Sequence, residues 1–174
     1  MEIINQEIIP ALDEVGQKYE NKEYFLPQLL MSAECAQVAM KRLQKELDKD
    51  TSGPSQKQTT IVFATVKGDV HDIGKNIVIA ILQNYGYRII DLGKDVAVGK
   101  IVAAVKKHKA QVVALSALMT TTMIEMPVII NALKKAGLKV KTMIGGAVVT
   151  GDYAASIGAD AYAKDAVEAA RVIK

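Results

Sequence analysis

Residues 59–84 read TTIVFATVKGDVHDIGKNIVIAILQN. A β-branched run over 59–66 enters a glycine-bounded, doubly acidic turn, GDVHDIG, and leaves it as a helical pattern near 75–84. The first part reads as a strand, and the apolar spacing after the turn reads as one face of a helix. The alternation continues downstream. YRIIDLG (87–93), QVVALSAL (111–118), KVKTMIGG (139–146) and ADAYAKD (159–165) read as strands, with helical patterns near 98–108, 123–136, 151–157 and 165–173. Strands alternating with helices predict an α/β fold built from βαβ units, a parallel sheet with helices on both faces. Right-handed crossovers leave few topologies, and the flavodoxin-like, Rossmann-like order 2-1-3-4-5 is the economical one for five strands.

In such a sheet ligands bind beyond the carboxyl ends of the strands, at the switch point beside strand 1. KGDVHDIGKN follows strand 1, SALMTTT strand 3, GGAVVTG strand 4 and YAKDA strand 5. All four segments share one sheet edge and are expected to converge on one site.

The chain before residue 59 follows another rule. Ile4, Ile8, Leu12, Val15 and Tyr19 recur at helical spacing, with Pro10 kinking or starting the regular part. NKEYFLPQLL turns the chain, Pro27 suits a first helical turn, and Leu30, Ala33, Gln37, Met40, Leu43 and Leu47 form a second helical face. KDTSGPSQK, residues 49–57, has no apolar residue and reads as a linker. The expected organisation is a helical cap over 1–48, a linker over 49–57 and a ligand-binding domain over 58–174.

Composition narrows the function. Of 174 residues, 50% are apolar, aromatics are 5% and Trp is absent, so the core is aliphatic. The net charge is +3 and the lysines are dispersed, which points to neither nucleic acid nor an anionic membrane surface. The single cysteine, Cys35, excludes an internal disulfide and a cysteine-cluster zinc site, and is expected to be a small buried apolar residue. No apolar stretch approaches the ~18 residues of a membrane span, and no signal peptide is visible, so a cytoplasmic protein is expected.

His71 is one of two histidines; His108, in KKHKA at a helix end, is expected to be solvated. A lone histidine in a turn can serve a proton, a phosphate or a metal. A phosphate loop fails, because Gly68 and Gly74 are separated by five residues, Asn76 replaces the hydroxyl residue, and Asp69 and Asp72 repel phosphate. A dinucleotide fingerprint is absent, and strand 3 lacks the terminal aspartate of a phospho-acceptor domain. The plain structural reading has Asp72 capping the next helix and His71 exposed. The metal reading rests on Asp69, which can fix the imidazole tautomer and leave the other nitrogen for a metal. One histidine does not hold zinc alone, so the metal would arrive inside a macrocycle, as cobalt or iron.

DVHDIG matches Asp-x-His-x-x-Gly, the signature of cobalamin-binding domains. Ser116-Ala117-Leu118 matches the family's Ser-x-Leu after strand 3, and Gly145-Gly146 its double glycine after strand 4. YFLPQLLMSAECAQVAM resembles the helical cap that precedes this domain in methionine synthase and in the small corrinoid proteins of methyltransferase systems. The resemblance covers essentially the whole chain. It implies cobalamin (vitamin B12) bound base-off, with His71 as the lower cobalt ligand, Asp69 bonded to the far side of its imidazole, and Thr122 completing a His-Asp-hydroxyl relay where methionine synthase has Ser. Asp69, His71 and Thr122 are thus the implied catalytic residues, with proton uptake at Asp69 and His71 favouring loss of the axial ligand. Val70, Asp72, Ile73 and Gly74 belong to the same cofactor loop. Ser116, Leu118, Thr120, Gly145, Gly146 and Ala147 would line the slot for the nucleotide tail, and Tyr162 and Ala163 would close it. Tyr19 and Leu26 match cap positions that shield the upper face of the corrin.

The implied function is a corrinoid methyl carrier. Cobalt would accept a methyl group from a substrate-specific methyltransferase, and methylcobalamin would deliver it to a second methyltransferase acting on tetrahydrofolate or a thiol. A reductive activase and a homodimer are compatible with this, and no nucleic-acid or membrane partner is implied. The carrier is not catalytic alone. The alternatives are a B12-binding fragment of a methionine synthase, a cobalamin-dependent mutase subunit, or a sensor; FLPQLL argues against the mutase, and the lack of a helix-turn-helix or basic patch against the sensor. The family cap usually has four helices, whereas residues 1–48 supply about two, which leaves upper-face shielding and dimer formation open.

Overall fold

The computed structural model describes residues 4–47 and 59–173. The linker expected over 49–57 lies outside the described residues. The chain divides into two compact units, one holding the N-terminal helices together with Gln83–Gly86, the other holding the remainder from the first strand onward.

In the helical unit a π-helical turn, Ile4–Ile8, leads into α1 (Ile9–Glu20), and α2 runs over Leu26–Leu47. Pro10 sits in the first turn of α1, where its missing N–H leaves no bond unmade. Leu12 is buried and Ile8, Val15 and Tyr19 are partly buried, as expected of that face; the side chain of Ile4 lies outside the described set. Among the described side chains of α2 the buried one is Leu29, and Leu30 is partly buried. Ser32, Ala36 and Ala39 extend the Leu29 side, while Phe25, Met31 and Val38 are exposed. The side chains of Ala33, Gln37, Met40, Leu43 and Leu47 lie outside the described set. Cys35 is exposed, contrary to expectation, because it falls on the side of α2 that carries Met31 and Val38.

The second unit contains β1 (Thr60–Thr65), α3 (Ile73–Asn84), β2 (Arg88–Asp91), α4 (Val98–His108), β3 (Val112–Ser116), α5 (Thr120–Met123), α6 (Glu125–Lys135), β4 (Lys141–Gly145), α7 (Gly151–Ser156), β5 (Ala161–Tyr162) and α8 (Ala166–Ile173). The strands form one parallel sheet in the order β2-β1-β3-β4-β5. Every residue of β1 is buried, as a central strand covered on both faces requires. Val62, Ala64, Val113, Leu115 and Ile144 of the sheet pack with Ile101, Val105, Met126, Ile129 and Leu133 of the helices. Each Val, Leu, Ile or Met among them contributes about 1.5–3 kcal/mol on burial. The short β2 edge carries Arg88 and Asp91 at its exposed ends, which discourages further strand pairing. The helix expected over 123–136 is α6, and a short additional helix, α5, precedes it. The chain turns early at Thr120, and Pro127 lies in the first turn of α6, where a proline is tolerated.

Register positions the site. Thr65 pairs with Ser116, and Ser116 with Gly145, so β1, β3 and β4 end at one level and their loops leave side by side. Among the described residues no helix is long and apolar enough to cross a membrane.

Candidate functional site

The turn after β1 begins at Gly68, whose φ of +81° suits glycine. It drops Asp69 into the protein, where the residue is 0% exposed. A buried carboxylate needs donors, and three segments supply them. Oδ1 accepts from the His71 backbone N–H at 3.0 Å and lies 2.8 Å from His71 Nδ1. Oδ2 accepts from Thr122 Oγ1 at 2.7 Å, from the Leu118 N–H at 2.8 Å and from the Met119 N–H at 3.4 Å. The Thr122 hydroxyl also lies 3.0 Å from the Met119 carbonyl, but its one proton favours the shorter, charged acceptor. Burial pushes the Asp69 carboxyl up; the bonds from Thr122, Leu118 and His71 outweigh it and hold the group far below the usual carboxylate range.

The tautomer of His71 follows. An ionised carboxylate only accepts, so Nδ1 carries the proton and Nε2 of the neutral ring is left with its lone pair. The imidazole is 46% exposed. Val70 and Ile73 on the same turn, Ile73 at 79%, and Leu118 on the loop after β3 are exposed apolar side chains. Thr65, the last residue of β1, lies beneath the loop: its hydroxyl donates to the His71 carbonyl at 3.3 Å and is 3.0 Å from Ser116 Oγ.

The double glycine is required by the chain itself. A Cβ at Gly145 would lie 2.6 Å from the Ala163 carbonyl oxygen, and one at Gly146, with φ +128°, would lie 1.9 Å from that of Ala117. At Gly74 a Cβ would meet nothing within 4 Å. Thr120 and Ala147 are exposed, Asp72 and Tyr162 partly buried, and Ala163 buried. Asp72 gives its backbone carbonyl to the Asn76 N–H, and no carboxylate bond is described for it. The structure thus joins Asp69, His71 and Thr122 directly, Ser116 through Thr65, and Gly145 with Gly146 to the ends of β5 and β3. Tyr19 and Leu26 belong to the helical unit, at the end of α1 and the start of α2.

The sequence reading missed Thr65 and the buried Lys75, whose Nζ is 2.5 Å from Asp91 Oδ1. Thr65 had one sign, a hydroxyl closing an apolar strand. No three His, Cys, Asp or Glu side chains gather as a metal site among the described residues.

Asp69 makes stability depend on pH. Its folded pKa lies below the unfolded one, so its contribution is present above about pH 4 and is lost as pH falls through the folded value. Asp69→Asn is expected to cost about 2–3 kcal/mol at pH 7 by urea unfolding, with a smaller gap from wild type at pH 3. Equal stability at pH 7 would mean that the donors find other partners.

Residues 59–171 match a family model described as a B12 binding domain, and residues 1–44 match a second model of the same description. The whole chain aligns at 42% identity with the trimethylamine corrinoid protein of Methanosarcina barkeri, covering 81% of that protein. A cobalamin-binding protein of Desulfitobacterium hafniense DCB-2 superposes with a TM-score of 0.80 at 35% identity, over 93% of this chain and 76% of that one. A chain of the methanol:cobalamin methyltransferase complex of M. barkeri gives 0.77 at 32% identity, over 98% and 64%.

Proposed function

The chain belongs to the B12-binding domain family, whose cofactor is cobalamin, and on that footing we propose that it is a corrinoid methyl carrier with His71 as the protein ligand to cobalt. The observation that carries this reading is the buried, ionised Asp69 on His71 Nδ1, which leaves Nε2 as a bare donor on a half-exposed ring. The surroundings fit a large flat ligand. Val70 and Ile73 on the histidine turn and Leu118 on the loop after β3 present apolar surface, and the space over Gly74 is open. The nucleotide tail is assigned to the cleft beyond β3 and β4, lined by Ser116, Leu118, Thr120, Gly145, Gly146 and Ala147, with Tyr162 and Ala163 at its far side.

When bound, cobalamin supplies a cobalt centre able to accept and release a methyl group. The chain's own contribution is orientation and proton placement. Asp69 fixes the imidazole and makes its free nitrogen a stronger donor. A carboxylate with this many donors resists protonation, so a proton bound by this pair would sit on Nε2 of a metal-free His71 rather than on Asp69. Thr122 holds Asp69 in place beneath the imidazole. Relatives named for trimethylamine and for methanol share this architecture, in keeping with a carrier whose methyl donor is chosen by a partner methyltransferase. A second methyltransferase, with tetrahydrofolate or a thiol as acceptor, would take the methyl group away, and a reductive activase would restore inactive cobalt.

The test is reconstitution. After incubation with hydroxocobalamin and desalting, the chain should retain about one cobalamin. Methylated chemically under reducing conditions, it should release the group to a thiol only when a methyltransferase is added. Absence of retained colour, or spontaneous transfer without the partner, overturns the reading.

A further inference from the structure

Asp95 lies in the loop between β2 and α4 with φ +52°, a left-handed conformation uncommon outside glycine, though Asp tolerates it better than most. Its backbone N–H donates to the Asp69 carbonyl at 2.9 Å. Its carboxylate Oδ1 accepts from the Gly68 N–H at 2.7 Å. One residue therefore grips both ends of the Gly68–Asp69 dipeptide, the pair that lowers the Asp69 carboxylate beneath His71. The grip is anchored on both sides. Thr65 N–H donates to the Gly93 carbonyl at 3.0 Å and Val96 N–H to the Thr65 carbonyl at 3.1 Å. At the start of the loop Asp91 accepts from the Gly93 N–H at 2.9 Å and pairs with Lys75, from the first turn of α3. A sheet-edge loop is thus bolted to the histidine turn, and the residue closest to that turn is the one with strained backbone. Such outliers persist where the surroundings enforce them, often at functional sites.

We propose that Asp95 is a positioning residue for His71: it sets the aim of the Asp69 carboxylate and through it the tautomer and pose of the imidazole. This rests on His71 being the cobalt ligand.

Two substitutions separate the hydrogen bond from the strain. Asp95→Gly keeps the left-handed backbone at lower cost and removes the acceptor. Asp95→Asn keeps both the conformation and an acceptor oxygen. The first readout is the ring ¹⁵N shifts of the ligand-free chain, which report which nitrogen of His71 carries the proton; His108 serves as internal control. The second is the visible spectrum of the chain loaded with hydroxocobalamin. Asp95→Gly is expected to lower the Nδ1–H tautomer population and to reduce the histidine-coordinated fraction about threefold, less than the ~10-fold or more expected on losing Asp69 itself. Asp95→Asn is expected to match wild type in both. Wild-type behaviour of Asp95→Gly in both readouts overturns the proposal, as does an Asn variant that behaves like Gly. A wild-type chain without histidine coordination would sink the cobalt-ligand reading instead, and the ligand-free ¹⁵N readout would still judge Asp95.

Discussion

Replacing His71 by alanine is expected to leave a folded protein that still takes up cobalamin but has lost the spectrum of histidine coordination. The fold survives because the ring is half exposed and Asp69 keeps the Thr122 hydroxyl and the backbone N–H groups of residues 71, 118 and 119. A surface-type loss of this kind is worth about 1 kcal/mol or less. Cofactor retention should survive because the proposed tail site beyond β3 and β4 is built from residues of those strand ends and not from the imidazole ring itself. Methyl transfer to the second partner should fall by ~10–100-fold, the range seen when a metal's protein environment is disturbed. The comparison is direct: the two loaded proteins, desalted alike, recorded side by side. An unchanged spectrum would remove His71 from the metal, and colour lost altogether would mean that the tail cleft holds little without it.

The β1 turn was legible because its parts are local. Strand, glycine, acidic turn and helix lie within 59–84, and periodicity alone separates them. The strand order was legible because parallel strands read as continuous apolar runs and crossovers have one hand. The link from Asp69 to Thr122 spans 53 residues and was reached only through the family resemblance, since nothing in the spacing announces it. Thr65 against Ser116, Lys75 against Asp91, and Asp95 on Gly68 are products of strand register and loop path, so one sequence does not announce these pairings, even where a residue such as Thr65 stands out by its place at a strand end. For α2 only the start of the expected face is described: Leu29, Leu30 and Met31 are consecutive apolar residues, so a helical period fits with more than one phase, and Leu29 is more deeply buried than Leu30. Cys35 was misjudged from its type, not its position.

Gly146→Ala is expected to damage the ligand-free protein, although the sequence ranks the double glycine as a ligand feature. At φ +128° an L side chain is strained, and its Cβ would meet the oxygen, carbon and nitrogen of Ala117 at 1.9, 2.9 and 3.0 Å. All three are backbone atoms, and the Ala117 N–H is itself tied to the Gly145 carbonyl at 3.2 Å, so no flexible side chain can yield. Strain and collision together should cost about 4 kcal/mol or more, roughly 10 °C in melting temperature for a chain of this size. Gly74→Ala is the counterpart. Gly74 lies in the first turn of α3 with open space around it, so alanine should leave the fold intact or raise its stability by about 0.5–1 kcal/mol. Cobalamin retention should nevertheless fall if the loop closes on the cofactor. Thermal melts of both ligand-free variants, followed by desalting of each after loading, separate the two kinds of glycine. A Gly146 variant that melts like wild type would show that the end of β3 moves aside by an ångström, leaving room for the tail to be what fixes the glycine. A Gly74 variant that retains cobalamin like wild type would place the cofactor away from the start of α3 and shift the whole contact toward β3 and β4.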